Sequence, residues 1–321
     1  MDILEWMFSL SLEFEGKGPG GILLEFLSPI LEFLGPMMPG EVFPYFFTMA
    51  MFQRALVASL IVSIVAGFLG TFLLVRNLSL IGDGLAHVSF GGVAVGIVLG
   101  GFAPLWYALI FSILAAIIID QMQTRNLLTG DASIAIFLTG TLGLGLVTLR
   151  IWGGGITTDV EGYLFGSLLL IDEQSLDLIT TISIIALVSI ITLYHSLLAI
   201  SVDPIAARVQ GIPVRSIGLY FSIITAAAVV SMVQIVGVLL VTAILVTPSA
   251  TAQLLAKSFR SCIIWSQIIG ISGILLGLYL SAEKNTGSGS MIALVSATIF
   301  FLVLISQIIL KKFIQPTGNF N

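Results

Sequence analysis

The sequence predicts an all-α integral membrane protein, a polytopic bundle of about eight to nine transmembrane helices. Three observations predict it. Of the 321 residues, 58% are hydrophobic and only 9% are charged, against about 25% charged in an ordinary soluble domain. So few polar groups cannot cover a soluble surface, whereas lipid solvates apolar side chains directly. The mean hydropathy of +1.15 comes from repeated apolar runs of roughly 16–25 residues, the length that crosses ~30 Å of hydrocarbon. The 33 glycines let membrane helices approach closely. The same composition excludes nucleic acid as a partner, because the net charge is −5 and no basic face is clustered.

The elements follow in chain order. Residues 1–20 carry Asp2, Glu5, Glu13 and Glu15 where a secretory signal needs basic residues, so no signal peptide is expected. In 22–35, Glu25 and Glu32 stand two helical turns apart on one face, which predicts an amphipathic helix at the membrane interface. Pro29, Pro36, Pro39 and Pro44 interrupt it. Residues 1–50 are therefore read as a peripheral N-terminal extension, 51–312 as the transmembrane domain, and 313–321 as a short cytoplasmic tail.

The expected spans are 55–75, 84–101, 104–120, 132–152, 176–200, 217–232, 233–255, 262–282 and 291–310. The 217–255 stretch is too long for one helix, and Ser231 and Gln234 mark its reversal. The short, glycine-rich 84–101 span is expected to be broken or partly re-entrant. With Lys311 and Lys312 cytoplasmic, alternation also places Arg76, Arg125, Arg208, Arg215, Lys257 and Arg260 inside. Lys17, Arg54, Arg150 and Lys284 fall outside, the imbalance the positive-inside rule requires. On the inner side, 201–216 predicts a short helix near 204–210, with Asp203 as cap, Pro204 in its first turn and Gly211 as its stop. On the outer side, 153–175 predicts a loop with a short helix.

Ionisable residues inside membrane spans mark pathways or sites. Asp83 and His87 stand four apart, so a helix turns both to one side. Together they offer a carboxylate oxygen and an imidazole nitrogen, a set suited to a divalent transition metal ion. Two ligands are too few for a permanent structural zinc and suit transient capture. The alternative is structural: Asp83 caps a helix starting at Gly84, and His87 bonds a neighbouring backbone carbonyl. His195, beside Tyr194 and Ser196, reads as an interfacial residue with its polar tip among headgroups. Asp159, Glu161, Asp172 and Glu283 read as solvated loop charges, and Cys262, the single cysteine, as a packing residue. There is no P-loop, no His-Glu-x-x-His and no Gly-x-Ser-x-Gly, so the chain is not expected to be an enzyme or to bind ATP itself.

At these residues the chain resembles the membrane permeases of bacterial and archaeal zinc, manganese and iron ABC importers, over about residues 46–310. Four ordered blocks carry the resemblance. The first is FLGTFLLVRNLSLIGDGLAHVSFGGVAVG (68–96), and the second is Val160-Glu161-Gly162-Tyr163-Leu164-Phe165-Gly166-Ser167. The third is Ile200–Gly211 with its Asp203-Pro204-x-Ala206. The fourth runs from Val236-Gly237-Val238-Leu239-Leu240-Val241 to Thr247-Pro248-Ser249-Ala250-Thr251-Ala252.

The resemblance implies a permease of the type II ABC importer kind in the plasma membrane, crossing it many times and paired with a second permease copy. It implies separate ATP-binding ABC subunits, an extracytoplasmic metal-binding protein, and no permanently bound cofactor. It implies that Asp83 and His87 are metal-site residues. The 201–216 connection becomes a coupling helix near 203–212, with Asp203, Pro204, Ala206, Ala207 and Gly211 meeting the ATPase. The chain departs from the family pattern at Phe90-Gly91, where a proline usually precedes the glycine, and at Glu283–Gly287, where the outer loop often reads Asp-x-Pro-x-Gly. Zinc, manganese and iron therefore all stay open as cargo. Two other classes also stay open: a gradient-driven secondary metal transporter that needs no ATPase, and a non-transporting scaffold.

Overall fold

The computed structural model describes residues 18–100, 104–125, 127–153, 158–166 and 171–314. Residues 1–17 of the expected extension, 154–157 and 167–170 of the outer connection, and 315–321 of the expected tail lie outside the described residues.

In chain order the helices are α1 (Pro19–Leu34), α2 (Tyr45–Thr48), α3 (Ala50–Val75), α4 (Ile81–Val98), α5 (Pro104–Thr124), α6 (Gly130–Trp152), α7 (Thr158–Phe165) and α8 (Glu173–Thr192). They continue as α9 (Tyr194–Val202), α10 (Pro204–Val209), α11 (Val214–Val236), α12 (Val241–Leu245), α13 (Thr247–Leu255), α14 (Phe259–Lys284) and α15 (Ser288–Ile314). Among the described residues, ten helical segments are long and apolar enough to cross a membrane. That is one more than expected, and the addition is Pro19–Met37 in the extension.

The bundle is built around α3, α4 and α11, each 78% buried over its most apolar window. Small side chains let neighbours close on α3: Ala55, Ala58, Ser59, Ala66 and Gly70 are all buried. Gly67 leaves room for Gln267 of α14, whose Nε2 donates to Ile64 O at 2.9 Å. Packing of this kind replaces the hydrophobic drive that is missing between helices in lipid. The surrounding helices turn large apolar side chains outward, as with Trp106, Ile110, Leu114 and Ile118 at every fourth position of α5.

Contacts identify the two ends of the bundle. At one end Arg54 of α3 pairs with Glu173 of α8 at 3.5 Å. At the other, the Phe72 ring meets Tyr194, Phe221 and Phe259, and Arg76 stacks over Phe221 at 5.0 Å. The second end carries α10 and the excess of basic residues, the distribution that the positive-inside rule associates with a cytoplasmic face.

Four expectations are corrected. The α4 helix is unbroken from Ile81 to Val98, and its glycines serve packing rather than a break. A Cβ on Gly92 would sit 2.7 Å from the Ala108 backbone, and one on Gly91 would sit 2.9 Å from Thr141 O. The reversal in 217–255 falls at Gly237, not at Ser231 and Gln234. Both polar side chains sit within the continuous α11, with Ser231 Oγ donating to Ala228 O and Gln234 Nε2 donating across to Ser175 Oγ of α8, while Gln234 Oε1 is buried without a partner. Gly237 has φ 85° and ψ 158°, a conformation essentially restricted to glycine. The 176–200 span divides at Leu193 into α8 and α9, just after Thr192 Oγ1 bonds back to Val188 O and Ser189 O, a pattern that bends helices. Finally, Glu283 lies in the last turn of α14 rather than in a loop, and its Oε1 accepts from Val42 N at 2.9 Å and Phe43 N at 3.0 Å.

Candidate metal-translocation site

The first sequence block folds as a helix end, a tight turn and a new helix. After Val75 the chain turns through Asn77 at φ 55°, and Leu78 N closes back on Leu73 O at 2.8 Å. The α4 helix then starts at Ile81, which puts Asp83 in its first turn, where the N-terminal partial charge favours a carboxylate. His87 follows one turn later. Asp83 Oδ1 and His87 Nε2 are 3.9 Å apart, with the two side chains 31% and 9% exposed.

That separation is beyond a hydrogen bond. It is also below the roughly 4.2 Å spanned by two metal–ligand bonds of about 2.1 Å each. The alternative structural roles are not filled. The helix begins two residues before Asp83 with Leu80 as N-cap and no side-chain capping bond. His87 Nδ1 is buried without a hydrogen-bond partner. The pair is held by its neighbours: a Cβ on Gly82 would meet Leu245 of α12, and one on Gly84 would meet Ile134 of α6, each at 2.5 Å. Among the described residues, no three His, Cys, Asp or Glu side chains converge. Asp83 and His87 therefore offer two candidate ligands, with no third such side chain beside them among the described residues.

The second group of expected residues lies at the end that carries the excess of basic residues. Asp203 Oδ1 accepts from Ile205 N at 2.8 Å and Ala206 N at 3.0 Å, capping α10, and Pro204 occupies the first turn. Gly211 has φ 84°, and Ile212 N returns to Ala207 O at 3.1 Å, ending the helix in a Schellman-type turn. Ala207 is buried and anchors the helix. Two residues not singled out from the sequence share the opposite side: Ile205 and Val209 are 75% and 84% exposed. Their i, i+4 spacing was visible in the sequence; their exposure depends on the helix projecting beyond the bundle.

Two other blocks meet in space. Gly166 has φ 80°, and its backbone packs against Val236, beside Gly237. The Val160–Gly166 and Val236–Val241 segments thus cross at a pair of glycines. Tyr163 and Val160 are buried under the crossing. His195, in the first turn of α9, is exposed and lies edge-on to Tyr194 with ring centroids 5.3 Å apart.

Residues 48–307 match the ABC 3 transport family. The chain is 32% identical to the manganese import system permease protein ScaB of Streptococcus gordonii, over 81% of this chain and 94% of ScaB. It is 31% identical to the manganese transport system membrane protein MntC of Listeria monocytogenes, over 79% of this chain and 89% of MntC. Among solved structures it is similar to PsaBC from Streptococcus pneumoniae, determined with a Fab. The TM-score is 0.70 and the identity 32%, covering 79% of this chain and 90% of that one.

Proposed function

The chain belongs to the ABC 3 transport family, and from that premise we propose that it is the permease of an ATP-driven importer of manganese in the plasma membrane. It is a transport subunit and not an enzyme; ATP hydrolysis belongs to a separate subunit. The observation that carries the metal reading is the Asp83–His87 pair, unbonded at 3.9 Å with a buried free imidazole nitrogen. The choice of manganese over zinc or iron rests on ScaB and MntC, both named for manganese. A mixed carboxylate and imidazole set accommodates that ion.

In this reading an extracytoplasmic metal-binding protein delivers the ion to the outer face of a permease dimer. Asp83 and His87 take it up transiently, with water or the second copy filling its remaining coordination positions. Two protein ligands bind an ion weakly enough to release it. ATP binding shifts the population between outward and inward states, and α10 transmits that shift through Ile205 and Val209 lodged in the ATPase.

The test is uptake by the reconstituted transporter, assembled with its ATPase and metal-binding protein, using radioactive manganese with zinc and iron as competitors. ATP-dependent manganese uptake that is lost in Asp83→Asn and His87→Gln is expected. Uptake without ATP, driven by an ion gradient, would instead establish the secondary-transporter reading.

A further inference from the structure

The described part of the N-terminal extension, up to residue 47, lies outside the residues matched to the family, yet it is fastened to the bundle at three points. At the start of α1, Gly20 N and Gly21 N both donate to Asp177 Oδ1, at 2.8 and 2.9 Å. In its middle, Ser28 Oγ bonds Gln53 Oε1 at 3.1 Å. Beyond its end, the turn at Val42 and Phe43 donates to Glu283, and the Phe43 ring lies edge-on to Tyr279 at 5.4 Å. Asp177 is in the second turn of α8, Gln53 in the first turn of α3, and Glu283 next to the last residue of α14. All three fasteners belong to the outer end of the bundle, the end that Arg54 and Glu173 tie together.

This placement decides between two orientations. The 16 residues of α1 extend about 24 Å, enough with the following turn to cross most of the hydrocarbon. A crossing helix would put its two ends at opposite ends of the bundle, whereas both ends of α1 are held at one. The faces agree. Gly20 and Leu31 are buried against the bundle. Ile22, Phe26, Ile30 and Phe33 form a second, exposed apolar stripe, with Phe26 at 72% and Phe33 at 75%. Glu25 and Glu32 fall between these faces, within about 20° of each other around the axis. On a crossing helix one of the two would sit about 10 Å deeper than the other. On a helix lying flat, both stay at the headgroup level.

We propose that α1 lies flat in the outer leaflet as a rim helix, clasped by Asp177, Gln53 and Glu283, with acyl chains of that leaflet against Ile22, Phe26, Ile30 and Phe33. The proposal rests on the direction of the bundle in the membrane and not on the ion carried.

Nitroxide labels test it in the full chain, in lipid nanodiscs on a Cys262→Ser background. Labels on Ile22→Cys, Phe26→Cys and Phe33→Cys should report one shallow depth by oxygen and nickel-chelate accessibility, and a label on Glu32→Cys should face water. A depth difference of about 16 Å between positions 22 and 33 would establish a crossing helix and overturn the proposal. Nickel-chelate access at all four positions would show α1 off the membrane and overturn it too. Asp177→Ala should raise amide hydrogen exchange over residues 19–35 several-fold; unchanged exchange would refute the clasp.

Discussion

His87 Nε2 stands 3.9 Å from Asp83 Oδ1, one turn away on α4, and the other ring nitrogen of His87 is buried with no partner. A histidine retained for packing in a membrane bundle would spend at least one nitrogen on a hydrogen bond, because an orphaned polar atom in a low-dielectric interior costs free energy. Asp83→Asn and His87→Gln keep size and polarity while replacing the carboxylate and the imidazole with neutral amides, which are weaker ligands. Each should reduce manganese uptake more than tenfold and change unfolding stability by no more than about 1 kcal/mol. Uptake assays and thermal unfolding on the same preparations separate the two effects. A large loss of stability with proportionate loss of uptake would make the pair structural.

The α10 tip separates docking from folding. Ile205 and Val209 are largely exposed, so Val209→Asp should leave thermal stability nearly unchanged. If α10 seats in the ATPase, the same change desolvates a charge there, and co-purification of the ATPase should weaken more than tenfold. Asp203→Ala removes the cap bonds to Ile205 N and Ala206 N and loosens the helix by about 1 kcal/mol. Coupling of ATP hydrolysis to transport should fall with it and return in Asp203→Asn, which restores a capping oxygen.

Those features were legible in the sequence to different degrees, for physical reasons. The Asp203 cap, Pro204 and the Gly211 stop are local: three residue types at fixed offsets determine a short helix wherever it sits. Asp83 and His87 were legible for the same reason, since i and i+4 spacing needs no tertiary information. Gly237 was not, because any of several glycines could take a positive φ, while the polar Ser231 and Gln234 offered a more visible break. Their hydrogen bonds to Ala228 and Ser175 arise only from folding. Glycines in 84–101 read as weakness because composition does not reveal that α5 and α6 press against them. The hydrogen bonds of Glu283 were not legible because its partners, Val42 and Phe43, lie about 240 residues away in the chain.

The Arg54–Glu173 pair marks the outer end without holding it together. Glu173 is 82% exposed at its side chain, so its carboxylate keeps most of its water and the pair is screened by salt. Exposed pairs contribute about 0–1 kcal/mol. Glu173→Gln should therefore shift the thermal midpoint by no more than a degree or two, whereas loss of the buried Gln53, whose Nε2 donates to Phe47 O at 2.7 Å, should cost more. Melting curves for Glu173→Gln and Gln53→Ala, side by side, check the ordering.

Gly237 carries the sharpest structural prediction. Its φ of 85° and ψ of 158° lie where an added Cβ is strained by about 1–3 kcal/mol. The Cβ would also enter the backbone of Phe165 and Gly166, and neither segment can retreat without breaking the crossing that holds α7 against the end of α11. Gly237→Ala should therefore reduce stability by more than about 2 kcal/mol, and Gly166→Ala, at φ 80° against the Val236 backbone, by a similar amount. The two effects should be less than additive, because either substitution alone already forces the crossing apart. Gly130→Ala, in the first turn of α6 with the Gln123 side chain 3.6 Å away, should be neutral or slightly stabilising. Thermal unfolding of the three single variants and the Gly166–Gly237 double variant in one detergent tests all of this. A fully additive double variant would mean that the two glycines act at separate places.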